Sequence, residues 1–404
     1  MSTAEESLLV IGGGIGGLAT ALAAARSGRT VKVLEKAPAF TEIGAGLQMA
    51  PNATRLLDRL GVLDKVVAAG VLPEHLVFRN AVTGAELTRV RLDSGEFRRR
   101  MGGPYVVVHR SDLLDILLEA AREAGVELVN NACAQEIEEL SSAVRVVCQD
   151  GTVHTGSAVV ACDGLHSRTR ALFADDEPVQ SGYVAYRGTL PIEEVGGGES
   201  LRDVVVWMGP GLHLVQYPLR SGRLYNQVAV FRSPGFATGE EGWGGPHELD
   251  GVFTAACEQV RRALPGLGRE RWWPMADRAP IGTWTKGRLA LLGDAAHPML
   301  QYLAQGACQA LEDAVTLADA LDEQAPAGAA PADWAAALET YAGRRTERTA
   351  RVQSTARVWG EMWHVDGVAA VLRDEVFRTR APEDLSPAEW LWDGASETPS
   401  ASAL

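Results

Sequence analysis

Cysteine is scarce in this chain of 404 residues: Cys133, Cys148, Cys162, Cys257 and Cys308 are scattered, odd in number and never spaced as C-x-x-C. That excludes a disulfide-stapled secreted scaffold and predicts reduced thiols in a cytoplasmic protein. Basic residues are in deficit, 38 Lys and Arg against 52 Asp and Glu, for a formal net charge of -14. Such a balance argues against nucleic acid or an anionic membrane as a general partner, while leaving room for an anion in a local basic pocket. No apolar run approaches a membrane span, so no integral membrane segment is expected; the acidic start Met1-Ser2-Thr3-Ala4-Glu5-Glu6 precedes a run too short for a signal-peptide core. His75, His109, His154, His166, His247 and His364 show no metal-ligand spacing, and no metal site is expected. Internal repeats and long low-complexity tracts are also missing. What remains is a globular chain long enough for two sizeable cores, or for one large domain with an inserted sheet.

The stretch from Leu8 to Glu35 organises it. Leu8-Leu9-Val10-Ile11 is a short β-favouring apolar run suited to a buried parallel strand. Gly12, Gly14 and Gly17 follow as G-x-G-x-x-G, with Ile15 and Gly16 inside the motif, and Leu18 to Arg26 reads as an Ala/Leu-rich helix ended by Ser27-Gly28. Thr30 to Leu34 is a second strand, closed by Glu35 and Lys36. Glycine permits the tight turn and close backbone approach, and a helix N-terminus presents N–H groups and positive dipole to a pyrophosphate. A carboxylate about 20 residues on accepts hydrogen bonds from a ribose hydroxyl. Strand, turn, helix, strand and acid in this order predict dinucleotide binding.

Further along, Thr41 to Leu47 is a second glycine-containing loop, including Gly44 and Gly46, leading into an amphipathic helix with Leu56, Leu57 and Leu60 on one side. Leu72 to Val90 turns β-like, and a helix starts after His109-Arg110, with Ser111 as its expected N-cap. Arg110 reads equally as a surface charge or a phosphate contact. Val126 to Val129, Val144 to Val147 and Ala158 to Ala161 read as strands, the last running into Cys162-Asp163-Gly164. From Gly182 the β signals are dense, and Leu212 to Leu219 with Leu224 to Phe231 form a predicted hairpin in which His213, Val215 and Tyr217 share a face. Arg232 to Gly251 reads as loop and Thr254 to Leu264 as helix. Arg288 to Leu292 is a buried strand ending in Gly293-Asp294, followed by Ala295-Ala296-His297-Pro298, a loop to Gly306 and a helix from about Ala307 to Leu321. Glu323 to Asp333 reads as a linker. Trp334 to Trp363 is helical, with Arg344, Arg345, Arg348 and Arg351 as a solvated stripe, and Trp359, Trp363, Trp390 and Trp392 read as packing or dimer contacts.

Three strand-end turns, Gly12 to Gly17, Asp163-Gly164 and Gly293-Asp294, together resemble the fingerprint of the single-component class A FAD-dependent aromatic hydroxylases. The resemblance spans roughly Leu8 to Trp392, and no second G-x-G-x-x-G marks a separate nicotinamide domain, as in that family. It implies an α/β fold of the p-hydroxybenzoate hydroxylase kind: a Rossmann-like FAD-binding domain, an inserted, mostly antiparallel substrate sheet and a C-terminal helical segment. The implied division is FAD-binding parts at 1–71, 104–180 and 276–325, substrate-domain parts at 72–103 and 181–275, helices at 326–393 and a disordered tail at 394–404. Gly12, Gly14 and Gly17 would hold the FAD pyrophosphate and Glu35 the ribose, with Ile15, Gly16 and Lys36 beside them. Arg110 would lie along the FAD chain, Asp163 would support the flavin domain and the nicotinamide route, and Asp294 would bond the ribityl and pyrophosphate region. Gly44 to Leu47, with Gly46 and Leu47, and the helix start at Gly306 and Ala307 would flank the isoalloxazine, where a helix N-terminus favours a reduced anionic flavin.

Closer motifs, Gly182 to Gly188, Leu212 to Pro218 and Trp272 to Met275, look like the branch of that family that hydroxylates 3-hydroxybenzoate. That branch resembles this chain in having glutamine at Gln301, where many relatives carry proline, which weakens a plain salicylate hydroxylase reading. The resemblance implies para-hydroxylation of 3-hydroxybenzoate to gentisate through a flavin C4a-hydroperoxide, with NADH or NADPH as reductant and O₂ as co-substrate, in a cytoplasmic homodimer. Within it His213 would take the phenol proton, Gln301 would orient the phenol or the peroxide, and Tyr217 would hold the substrate carboxylate. Water must be excluded to prevent loss of the oxidant as H₂O₂. His297 is expected to shape its loop. Other phenols (salicylate, 6-hydroxynicotinate, a larger phenolic natural product) are the alternatives, and a non-hydroxylating flavin oxidase, reductase or scaffold is the rival of another class.

Overall fold

A computed structural model of the chain describes residues 7–41, 45–196, 201–326, 329–381 and 383–393. Gly44 and the tail 394–404 lie outside them. Two large sheets carry the architecture. The first runs in the order Thr285–Lys286, Leu289–Leu291, Ala158–Ala161, Ser7–Ile11, Thr30–Leu34, Glu127–Val129. Its strands are parallel apart from the two-residue edge strand. Ser7–Ile11 is buried along its whole length: Leu8 and Val10 face the main core with the helices, and Leu9 and Ile11 face Val144 and Val146 of a three-stranded sheet. The chain leaves Ser7–Ile11 toward Thr30–Leu34 on one side and returns on the other as Ala158–Ala161. The strand order therefore reverses at this point, and the crevice beyond the strand ends is where such sheets bind ligands.

The second sheet has seven strands, in the order Trp273–Asp277, Val179–Pro191, Leu224–Arg232, Leu212–Leu219, Val204–Gly209, His75–Asn80, Glu86–Arg91. Its pairings are antiparallel except between Val204–Gly209 and His75–Asn80. Alternation divides the strand Leu212–Leu219: Leu214 joins a separate core with Trp207 and Phe231, whereas Val215 and Tyr217 face the main core shared with the first sheet. A three-stranded sheet and the pair Gly46–Met49 with Val106–His109 complete the β structure among the described residues.

Helix Ile15–Arg26 packs along helix Gly306–Gln324, and their approach is set by Gly16, where a Cβ would sit 3.2 Å from the Cβ of Ala310. The long helix Pro331–Trp363 then lies on Gly306–Gln324. Among the described residues no helix is long and apolar enough to cross a membrane.

Several local expectations need correction. His109, not Ser111, caps helix Arg110–Glu123, its Nδ1 accepting the Ser111 N–H at 3.3 Å. The stretch after Arg232 holds two short helices, Pro234–Thr238 and Pro246–Val252, each opened by a proline at its first turn. The helix expected over Thr254 to Leu264 breaks at Ala256 and resumes as Glu258–Ala263. The arginines of the long helix are no uniform solvated stripe. Arg345 is buried and bonds Glu312 at 2.5 Å and Asp313 at 2.7 Å, and Arg348 holds Glu312 from the other side at 2.6 Å. Arg344 keeps an exposed pair with Glu323, and Arg351 covers the Trp390 ring at 4.1 Å.

Candidate active site

One cavity of about 900 Å³ runs from the Gly12 turn, between the two sheets, to the C-terminal helix Ser386–Trp392. All but one of the described residues assigned above to cofactor or chemistry line it: Gly12, Gly14, Ile15, Gly16, Glu35, Lys36, Gly46, Leu47, Arg110, Asp163, Asp294, Gly306, Ala307, His213, Tyr217 and Gln301. Gly17 does not. A Cβ there would lie 1.9 Å from the Gly12 carbonyl oxygen, so the absence of a side chain serves close packing of helix on strand.

The first end of the cavity is built of backbone. Gly12 adopts φ +102°, and a side chain on it would strike the Cys162 carbonyl 2.4 Å away, so the first and second strand-end turns meet only through glycine. Glu35 accepts from the Gly13 N–H at 2.7 Å and the Ala37 N–H at 2.8 Å, which fixes its carboxylate beside the turn with lone pairs to spare for hydroxyls. Asp163 spends one oxygen on the N–H groups of Arg168 and Thr169, while Oδ1 is buried with no partner and calls for a donor. The third turn, Gly293-Asp294, is held from beneath. Asp313 accepts from the Gly293 N–H at 3.0 Å and pairs with His297 Nε2 at 2.5 Å, and buried Arg170 donates to the carbonyls of Ala295 and Ala296. His297 is thus a loop-shaping residue, fully buried and away from the cavity wall. Asp294 and the N-terminus of Gly306–Gln324 are left facing the cavity.

The second end is a wall of side chains. His213 and Tyr217 point inward from one strand, and Gln301 comes from the short turn Gln301–Leu303. Tyr217 reaches over Gly46, where a Cβ would come within 2.3 Å of its ring; glycine there is the condition for that rotamer. Burial pushes the Tyr217 phenol above its ordinary range, so it stays a neutral donor. His213 is buried, with Nδ1 2.8 Å from Nε2 of His364. Burial, above all, holds it well below the usual histidine range, so its ring is neutral at neutral pH.

Two residues escaped the sequence reading. His364 was dismissed on the metal criterion alone. Arg187, in strand Val179–Pro191, lines the cavity 5.3 Å from the Trp273 ring, with its Nη2 3.4 Å from the Gln301 amide oxygen. Burial lowers its pKa, and its Nε is buried without a hydrogen-bond partner. The available signal was alternation: Tyr183, Ala185 and Arg187 share one face of that strand. Trp359, Trp363, Trp390 and Trp392 also line the cavity, while Trp359 and Trp363 pack on Phe78. The one cluster of potential metal donors among the described residues, Glu74, His75 and Asp203, is internally bonded, His75 to Asp203 at 3.0 Å.

A glycine turn opening a helix at a topological switch point, a carboxylate placed for a ribose, two further strand-end acids and an adjoining pocket define an FAD-dependent oxidoreductase that acts on a small substrate beside its flavin. Comparisons with known proteins agree. Residues 5–185 match the model of an FAD binding domain, and residues 103–310 that of an FAD dependent oxidoreductase. The chain is 40% identical over 396 residues to a 3-hydroxybenzoate 6-hydroxylase of Polaromonas naphthalenivorans, covering 96% of each. It is 36% identical to a 3-amino-4-hydroxybenzoate 2-monooxygenase of Streptomyces cremeus, covering 98% of this chain and 97% of the other. Its fold matches a variant of HpxO from Klebsiella pneumoniae complexed with FAD, with a TM-score of 0.82 and 25% identity, over 96% of this chain and 97% of that one. The chain belongs to the class A FAD-dependent aromatic monooxygenases, and FAD is its cofactor.

Replacing Glu35 with Ala removes an acceptor of charged hydrogen bonds, each worth about 1.5 kcal/mol or more. FAD should then dissociate roughly tenfold more readily, read as flavin fluorescence released on dilution. Flavin content and release equal to wild type would take Glu35 out of the cofactor site.

Proposed function

We propose that the enzyme hydroxylates 3-hydroxybenzoate para to its hydroxyl, giving gentisate, with NADH or NADPH as reductant and O₂ as oxidant. The observation that supports this most is the polar wall opposite the glycine turn: a neutral histidine, a primary amide, a phenol and a guanidinium whose Nε has no partner converge on one pocket. When bound and reduced by the nicotinamide cofactor, FAD would supply the activation of O₂, and O₂ the oxygen atom transferred. Gly12, Gly14, Ile15 and Gly16 would bind its pyrophosphate, with Asp294 and Arg110 alongside. Glu35 and Lys36 would hold the adenosine end, Asp163 the neighbouring turn, and Gly46, Leu47, Gly306 and Ala307 would border the ring.

The residues of this chain do the rest. A phenolate is far more nucleophilic than a phenol, so a base must hold the hydroxyl proton, and His213 Nε2 takes it. Gln301 offers donor and acceptor together and orients the hydroxyl. Arg187 and Tyr217 hold the carboxylate. His213 and Tyr217 lie four residues apart on one strand, about 13 Å along it, so inward-leaning side chains bracket a benzoate ring from its two polar ends. Val215 between them, and Met275 across, keep the middle dry. The enzyme works in the cytoplasm, consistent with five thiols free of disulfides. It acts as a homodimer: helix Gly367–Arg378 turns Val368, Val371, Leu372 and Val376 outward, each 59% exposed or more.

A second reading, a larger phenol, is favoured by one feature: the same cavity is also lined by Phe78, Trp359 and Trp392, more aromatic wall than a benzoate ring needs. A panel of substituted benzoates tests both. The expected result is that 3-hydroxybenzoate stimulates NADH oxidation most strongly and yields one gentisate per NADH, identified by mass and NMR. Stimulation by every phenol with only H₂O₂ formed, or a different phenol hydroxylated preferentially, would overturn the assignment.

A further inference from the structure

We propose that His364 is a positioning residue for the base: its Nε2, 2.8 Å from Nδ1 of His213, accepts the Nδ1–H and so keeps the Nε2 lone pair of His213 directed at the substrate hydroxyl. The inference rests on the hydroxylase reading above. His364 sits just past the end of helix Pro331–Trp363, and its carbonyl accepts from the Gly211 N–H at 3.0 Å, which ties it to the turn that begins the His213 strand. Its ring is clamped. Tyr183 stacks on it at 4.5 Å and 18°, and the His213 ring lies 5.0 Å away at 26°. Both histidines are less than a tenth exposed.

A neutral imidazole carries one proton, so the pair has two arrangements. If His364 donated, Nε2 of His213 would carry the other proton and could not accept one from a phenol. If His364 accepts, His213 presents a lone pair to the cavity, and the proton of His364 sits on Nδ1, a buried atom without a partner. Either arrangement leaves that Nδ1 unsatisfied; only the second provides a base. When the O–H bond of the phenol breaks, its proton moves to Nε2 of His213 and the electron pair stays on the phenolate oxygen. His213 then holds both its protons, with Nδ1–H still bonded to His364, and charge on the imidazolium is balanced by the phenolate.

The titratable and charged groups facing the pair are Tyr183, Tyr302 and Arg373. None competes as an acceptor. Burial pushes the Tyr183 and Tyr302 phenols up, and Arg373 is engaged by the Trp363 carbonyl and by Asp374. Burial, and then Arg373, hold His364 down to about 3, so it remains a neutral acceptor through the working range.

The test uses FAD-loaded enzyme, with ionisation of bound 3-hydroxybenzoate followed by ultraviolet difference spectra across pH, beside the pH profile of kcat/KM. In His364→Phe the stacking partner stays and the acceptor goes. The bound phenol should ionise about one unit higher, with kcat/KM about tenfold lower at neutral pH and recovering as pH rises, at unchanged flavin content. His364→Gln, whose amide oxygen reaches the Nε2 position, should restore the wild-type profile in large part. A Phe profile that overlays wild type, or Phe and Gln variants impaired equally at every pH, would overturn the proposal. Wild-type enzyme that ionises no bound phenol would instead remove the hydroxylase reading on which it stands.

Discussion

In His213→Ala the flavin should stay bound while hydroxylation falls by about 10²- to 10⁴-fold at neutral pH, the usual worth of a positioned base. The glycine cradle and Glu35 belong to the first sheet and this side chain to the second, so cofactor content is the internal control. The pH dependence carries more information than the size of the loss. Burial holds the His213 imidazolium well below its ordinary range, so in wild type the base is unprotonated at neutral pH and for some distance below it. Activity should therefore be flat there and fall only as pH drops toward that lowered value. Without the imidazole the enzyme depends on phenol that has already ionised, a group with a pKa near 10 like the tyrosine side chain. The rate in the variant should rise about tenfold per pH unit across the neutral range, and the gap to wild type should be widest in acid. Product per NADH is the quantity to measure, because an unactivated ring diverts reducing equivalents to H₂O₂. Coupled turnover with a flat profile in the variant would remove His213 from the chemistry.

What could be read from the sequence divides by range. The Gly12 turn was legible because its determinants are local: a strand, three glycines, a helix and an acid within 28 residues, each with one physical task. The inward triplet His213, Val215, Tyr217 follows from the two-residue period of a strand, and the fold brings those side chains to one cavity wall. A motif treats its glycines alike, and only geometry shows that Gly17 is glycine to let the helix approach the Gly12 carbonyl. His364 could not be found this way. It meets His213 across 151 residues, and nothing about a histidine after Trp363 announces a partner on another sheet. The arginines of the long helix mislead for a related reason: Arg344, Arg348 and Arg351 at helical spacing, with Arg345 beside them, look like a solvated face. The missed signal lay in the other helix, where Glu312-Asp313 interrupts an otherwise apolar run. Two carboxylates in a buried helix require cations, and the next helix supplies them.

That network sets the second large expected effect, a loss of about 3–5 kcal/mol of stability in Arg345→Met. Burial alone would raise the Glu312 carboxyl, yet Arg345 and Arg348 hold it down to about 2; for Asp313, burial is overcome by His297 and Arg345, again to about 2. Both acids thus contribute stability that is present above their unfolded values, near 4, and is lost as pH falls toward 2. Methionine fills the space but removes the charge common to both. Arg348 still serves Glu312, so the uncompensated burden falls on Asp313, which holds the Gly293 N–H. The turn presenting Asp294 to the cofactor should loosen with it. Urea unfolding of the FAD-loaded protein should show the deficit in full at neutral pH and a smaller one near pH 3, where Asp313 in the variant folds protonated at little cost. Arg344→Met, which breaks only the exposed pair with Glu323, should cost at most about 1 kcal/mol at either pH. Equal, small losses in the two variants would mean that Asp313 is sustained by His297 alone, and that Arg345 contributes packing rather than charge to the floor of the flavin site.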